Sequence, residues 1–205
     1  MSAEPRSSSE QQRALARREQ ILCAAANCFR NHGFHGASIA QISKAAGMSA
    51  GHIYHYFDNK EAIIAAIVER DLEYLVTLTA ELRATGNIRD AMIEHVAEGV
   101  RKNLEPAEAG LKLEIAAEAA RNPHVGDIVR RADEVCRGSL ADTLRAVRQA
   151  DGHADDEATI AGMTEVIAAL FEGLMIRGIR NPGMDRDAVI RGFRETVRGV
   201  LKQPS

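Results

Sequence analysis

Three helix-opening signals fall within residues 38–61, and that crowding constrains the fold of this 205-residue chain more than any other feature. Ser38-Ile39-Ala40-Gln41 has the form of a capping box, in which the serine hydroxyl accepts from a backbone N–H and the glutamine reaches back to the serine N–H. The helix it opens runs for only about nine residues, because Gly47 stops it. Ser49 is the next N-cap, and Met48 and Ile53 have the N′ to N4 spacing of a hydrophobic staple, which sets the angle at which a chain joins its helix. Asp58, with Glu61 three residues on, opens a long helix from about Asn59 to Ala84. Two brief helices joined by a three- to four-residue turn containing Gly describe a helix-turn-helix, whose second helix enters the DNA major groove.

Ahead of this unit, Ile21, Leu22, Ala25, Cys28 and Phe29 form one apolar face of a helix from Arg13 to His32, and Gly33 suits its left-handed C-terminal position. Behind it, the breakers Gly86-Asn87, Glu105-Pro106, Asn122-Pro123, Gly152 and Asn181-Pro182-Gly183 delimit helices near 88–103, 107–121, 124–150, 156–180 and 185–202. Aromatics are 4% of the chain and Trp is absent, which favours helix over sheet. The fold class expected is all-α with about nine helices. A flexible polar tail over 1–12 precedes a three-helix DNA-binding domain over 13–60 and a helical ligand-binding and dimerisation domain over 61–202.

Of the 26 Lys and Arg and 29 Asp and Glu, seven and four lie in residues 1–60, leaving 19 and 25 downstream. A basic first part and an acidic second part imply different partners. The tail has no apolar core, and no stretch reaches the roughly 18 uninterrupted apolar residues of a membrane span, so a cytoplasmic protein without a membrane partner is expected. Cys23, Cys28 and Cys136 are odd in number and lack C-x-x-C spacing. Neither a disulfide framework nor a metal site is expected, and Cys23 and Cys28 read as small hydrophobes in a helix. His95, Glu114, Glu118 and Glu172 belong to no motif that assembles an acid–base or nucleophile–base pair, so neither catalysis nor a cofactor is expected.

The second short helix carries Ala50, Gly51 and His52 at its start, then Tyr54, His55 and Tyr56, with Lys60 just beyond. Small residues let a backbone approach base edges, while Tyr, His and Lys donate to phosphates or bases. Three consecutive aromatic positions cannot all face one core. Ile42, Ala46, Met48 and Ile53 are placed to lock the two helices, with Ser43 small where their backbones approach. The run from Ser38 through Gly47-Met48-Ser49-Ala50-Gly51-His52-Ile53-Tyr54-His55-Tyr56-Phe57 to Glu61 resembles the TetR family of bacterial transcriptional repressors. Phe29-Arg30-Asn31-His32-Gly33-Phe34 is similar to the exit of that family's first helix. The resemblance covers about residues 13–70, and beyond it the likeness is one of length and layout. It implies that Ser38, Tyr54, Tyr56 and Lys60 hold the phosphate backbone while Ala50, Gly51, His52 and His55 face bases. Ser49 and the outward Lys44 complete the expected DNA-facing set. Tyr56 stands where many members carry His, and both residues donate a hydrogen bond.

The helix near 156–180 is apolar around more than half its circumference and needs two neighbours. Its Ile167, Leu170, Phe171 and Leu174, with Val189, Phe193 and Val197 of the last helix, are the expected interface of a homodimer that reads a palindromic double-stranded operator. Met92, His95, Leu113, Glu114, Met163, Phe171 and Met175 are the expected lining of a pocket for a small hydrophobic effector, whose binding releases DNA. The alternative is an architectural or regulatory DNA-binding protein with no small-molecule ligand.

Overall fold

A computed structural model describes residues 5–153 and 156–202, with side chains from residue 10 onward, and contains nine helices and no strand among them. They are α1 (Pro5–Gly36), α2 (Ile39–Ala46), α3 (Ala50–Tyr56), α4 (Lys60–Arg83), α5 (Ile88–Asn103), α6 (Pro106–Ala119), α7 (Pro123–Ala150), α8 (Glu157–Arg180) and α9 (Arg186–Leu201). Capping explains most of the boundaries: Asn87, Asp156 and Asp185 each accept a backbone N–H at the start of α5, α8 and α9.

The start of α1 departs from expectation. Residues 1–4 lie outside the described residues, but 5–12, read as a flexible tail, are helical. Pro5 occupies the first turn, where its missing N–H leaves no bond unmade. The apolar stripe further along nucleates the helix, and adding polar residues ahead of it is the cheaper step of propagation. Cys23 is a second correction. It stands one position off the buried stripe and is exposed, its thiol donating to Glu19, whereas Cys28 is buried.

Two compact units result, Met1–Glu69 with Glu114–Val129, and Arg70–Leu113 with Arg130–Ser205. In the first, Ile21, Leu22 and Phe29 of α1, Ile42, Ile53, and Ile63 and Ile67 of α4 are buried together. Gly33, at φ 70° and ψ 167°, interrupts α1, and the end of α6 grips the chain there. Glu114 accepts from the Phe34 N–H at 2.7 Å, and a Cβ at Gly33 would stand 3.2 Å from the same carboxylate oxygen. One turn on, Glu118 is buried, lies 3.1 Å from His35 Nε2, and accepts from Asn122 Nδ2 and Arg121. Asn122 in turn caps α7 by accepting from the His124 N–H, directly before Pro123.

In the second unit, Val96 and Val100 of α5 lie in a core with Leu144 and Val147 of α7, Ile160 and Met163 of α8, and Ile190 and Leu201 of α9. The Phe171 ring rests on Gly99, where a Cβ would come within 2.7 Å of it, so α5 and α8 approach this closely only over a glycine. The residues expected at a dimer interface divide by burial within the protomer. Ile167, Leu174 and Val197 are buried in this core, Phe171, Val189 and Phe193 pack against it half-buried, and Leu170 is also half-buried. Helix α8 is apolar on two faces, and periodicity does not say which of them meets α5. The face left open is the neighbouring one, with Val166, Ile176 and Ile179 at 48, 45 and 59% exposure. Among the described residues α8 is also the one helix long and apolar enough on average to cross a membrane, although it carries Glu165 and Glu172.

Candidate nucleic-acid interface

The two short helices form as their caps dictate. Ser38 Oγ accepts from the Gln41 N–H at 3.2 Å while Gln41 Oε1 accepts from the Ser38 N–H at 2.7 Å. Gly47 ends α2 in the left-handed conformation, φ 63° and ψ 32°, with the Met48 N–H returning to the Ser43 carbonyl at 2.9 Å. Ser49 Oγ accepts from the His52 N–H at 3.2 Å and starts α3. Ser43 is buried with its hydroxyl donating to the Ala40 carbonyl at 3.0 Å, and Gln20 Nε2 of α1 donates to the Ala46 carbonyl at 2.8 Å.

Of the seven residues of α3, only Ile53 is buried. Ala50, Gly51, His52, Tyr54 and His55 are exposed and Tyr56 is half-buried. The rings of His52, His55 and Tyr56 cluster with centroids 5.2 to 6.4 Å apart, the two histidines stacked and Tyr56 edge-on to both, and Tyr54 is 54% exposed. Ser38, Lys44 and Ser49 are exposed alongside. A single deep anchor and an otherwise open helix make a surface that a groove could receive, with imidazole and phenol donors at its rim.

Lys60 has work inside the protein that its expected phosphate contact does not include. Its ammonium donates to the carbonyls of Phe34 at 2.6 Å and Ala37 at 2.9 Å and stands 4.4 Å from the centre of the Phe34 ring. It therefore ties the start of α4 to the segment between α1 and α2.

Of the residues expected to line an effector pocket, Met92, Met163 and Phe171 share the core of the second unit. Met92 and Met163 are buried core, and Phe171 is occupied by Gly99 and by Phe193, 5.6 Å away. Leu113 and Met175 are half-buried, and Glu114 belongs to the first unit, where it holds Phe34. His95 alone lines a cleft, of about 380 Å³ between α4 and α5, with Arg70, Glu73, Tyr74, Glu81 and Glu98. There the Tyr74 hydroxyl donates to Glu98 at 3.0 Å and the Lys102 ammonium lies 3.5 Å from the Tyr74 ring centre. Burial, and then the Glu98 carboxylate, push the Tyr74 phenol above its ordinary pKa, and burial pulls Lys102 below its own.

A capped helix-turn-helix on a helical body defines a DNA-binding regulator. Residues 21–67 match the family described as bacterial regulatory proteins, tetR family, and residues 90–202 match the BetI-type transcriptional repressor C-terminal family. The chain belongs to the TetR family of transcriptional regulators. It is 29% identical over 192 residues to the HTH-type transcriptional regulator UidR of Escherichia coli K12, covering 93% of this chain and 96% of that one. Salmonella enterica GusR has the same fold, with a TM-score of 0.74 at 29% identity, over 92% of this chain and 97% of the other. FadR of Bacillus subtilis, solved in complex with stearoyl-CoA, shares the fold at a TM-score of 0.73 and 17% identity, over 87% of this chain and 96% of that one.

Proposed function

We propose that two copies of this chain bind a palindromic operator as a repressor in the cytoplasm, with α3 of each in the major groove, and that a small organic effector releases them. The observation that carries the reading is α3 itself, seven residues with one buried anchor and outward His52, Tyr54 and His55. On this reading His52 and His55 face bases while Ser38, Lys44, Tyr54 and Tyr56 hold phosphates. Binding to a random-sequence duplex pool tests it. The pool should yield an enriched palindrome, and His52→Ala should redistribute preference at one position per half-site by about 1–3 kcal/mol. Tyr54→Phe should weaken all sequences alike. A pool with no enriched palindrome overturns the reading.

Outward small and apolar residues support the dimer. Gly162, Val166, Ala169, Gly173 and Ile176 of α8 recur at helical spacing, all exposed but the half-buried Gly173, and Gly192 and Gly199 of α9 are exposed too. A Cβ at any of these four glycines would meet nothing within 4 Å in its own protomer. For the effector, our reading favours the α4–α5 cleft that His95 lines. Glu73, Glu81 and Glu98 outnumber Arg70 and the Lys102 ammonium that already covers the Tyr74 ring, so the wall is net negative and suits an organic ammonium compound. Among such compounds that release the operator, Glu73→Gln with Glu81→Gln should raise the half-release concentration about tenfold while operator affinity without compound is unchanged. Release unaffected by the pair would remove the cleft from the mechanism.

A further inference from the structure

Ahead of Gln20, α1 runs on for about four turns, roughly 22 Å. Every residue from Glu10 to Arg17 is exposed, Leu15 at 67%. The place where this overhang begins gives it meaning. Gln20 is bonded to the Ala46 carbonyl, the last residue of α2, beside the Gly47 turn that delivers the N-terminus of α3. Arg18 holds the helix from another side, 5.5 Å over the Phe57 ring and 3.6 Å from Glu69. The overhang therefore leaves the protein at the turn through which a reading helix meets base edges.

Arg13, Arg17 and Gln20 stand at i, i+4 and i+7, one stripe along the helix, and the Gln20 bond shows that this stripe is the side turned to the α2–α3 turn. Arg17 Nη1 donates to Gln20 Oε1 at 3.2 Å, and among the described residues Arg13 makes no ion pair. In sequence the same register runs back through Glu10 to Arg6. A helix with arginines on the side facing the reading head and no apolar stripe fits a polyanion better than a protein partner.

We propose that the overhang of α1 lies along the phosphates flanking the sequence that α3 reads, with Arg13 and Arg17 as its contacts, so that the chain grips duplex DNA beyond the operator itself. The inference rests on the operator reading above. Two duplexes test it, one ending at the edges of the selected operator and one extended by about ten base pairs, one helical turn, on each side. The full-length wild type should bind the extended duplex at least tenfold tighter. The Arg13→Ala/Arg17→Ala variant should bind both duplexes alike and match the wild type on the short one, which also shows that it is folded. On the extended duplex its slope of log affinity against log salt should be shallower by about 3 to 4, from two phosphates per protomer. A wild type that binds the operator tightly but ignores the flanks overturns the overhang alone, whereas failure to select any operator overturns the reading beneath it. Equal losses by the variant on both duplexes would place the arginines inside the operator contact and overturn the flanking assignment.

Discussion

Gly173→Arg should produce a folded monomer that has lost operator affinity by at least about a hundredfold, or roughly 2.8 kcal/mol. The protomer leaves room for the new Cβ, which at Gly173 meets no atom within 4 Å. Replacing a glycine inside a helix even favours the helix, by up to about 1 kcal/mol. In the proposed dimer the harm falls on the partner. A two-fold interface presents the same patch twice, so each substitution buries two unpaired guanidinium groups where small residues let the helices close. Each separated chain then reads one half-site. Sedimentation and operator titration of the same sample decide the matter, and a persistent dimer with wild-type affinity would put the interface elsewhere.

Lys60→Ala should destabilise the N-terminal unit by about 2–3 kcal/mol. Its ammonium makes two charge-assisted hydrogen bonds, to the Phe34 and Ala37 carbonyls, and faces the Phe34 ring. Such bonds contribute about 1.5–3 kcal/mol each when sheltered, and this side chain is half-exposed, so the pair is discounted to the lower part of the range. Without the ammonium the α1–α2 connection and the start of α4 lose their common tie. Chemical denaturation followed by circular dichroism checks it. An unchanged midpoint, with a salt slope of DNA binding lower by about one unit per protomer, would mean that Lys60 serves a phosphate and not the fold.

The helices were legible because their ends are local events. Ser38, Gly47, Ser49, Asn87, Asp156 and Asp185 each act on neighbours within a few residues, and the breakers between the later helices act the same way. The outward face of α3 was legible for a related reason, since a seven-residue helix with one long apolar residue has one way to sit. What the sequence hides depends on distance. Lys60 reaches carbonyls 26 and 23 residues back, and Glu114 meets an N–H 80 residues away, and neither pairing leaves a periodic mark. In α8 the difficulty is excess of signal, since two apolar faces leave open which one packs inward. Met92 and Met163 illustrate the same ambiguity, because a methionine filling a core and one lining a pocket have the same neighbours in sequence. The overhang of α1 has no apolar face at all, and periodicity is silent where nothing is buried.

The grip of Glu114 and Glu118 on residues 33–35 bears on how the protein is made. The N-terminal unit recruits residues 114–129, so synthesis of its remaining contacts begins 45 residues after Glu69 has been added. At translation rates of about 5–20 residues per second, that gap lasts roughly 2 to 9 seconds, long compared with the microseconds in which helices form. During it the nascent reading head has its three helices but lacks the two carboxylates that receive Phe34 and His35. The DNA-binding end of this chain therefore matures only after more than half of the protein has left the ribosome, and a chain truncated before Glu114 carries an unfinished head.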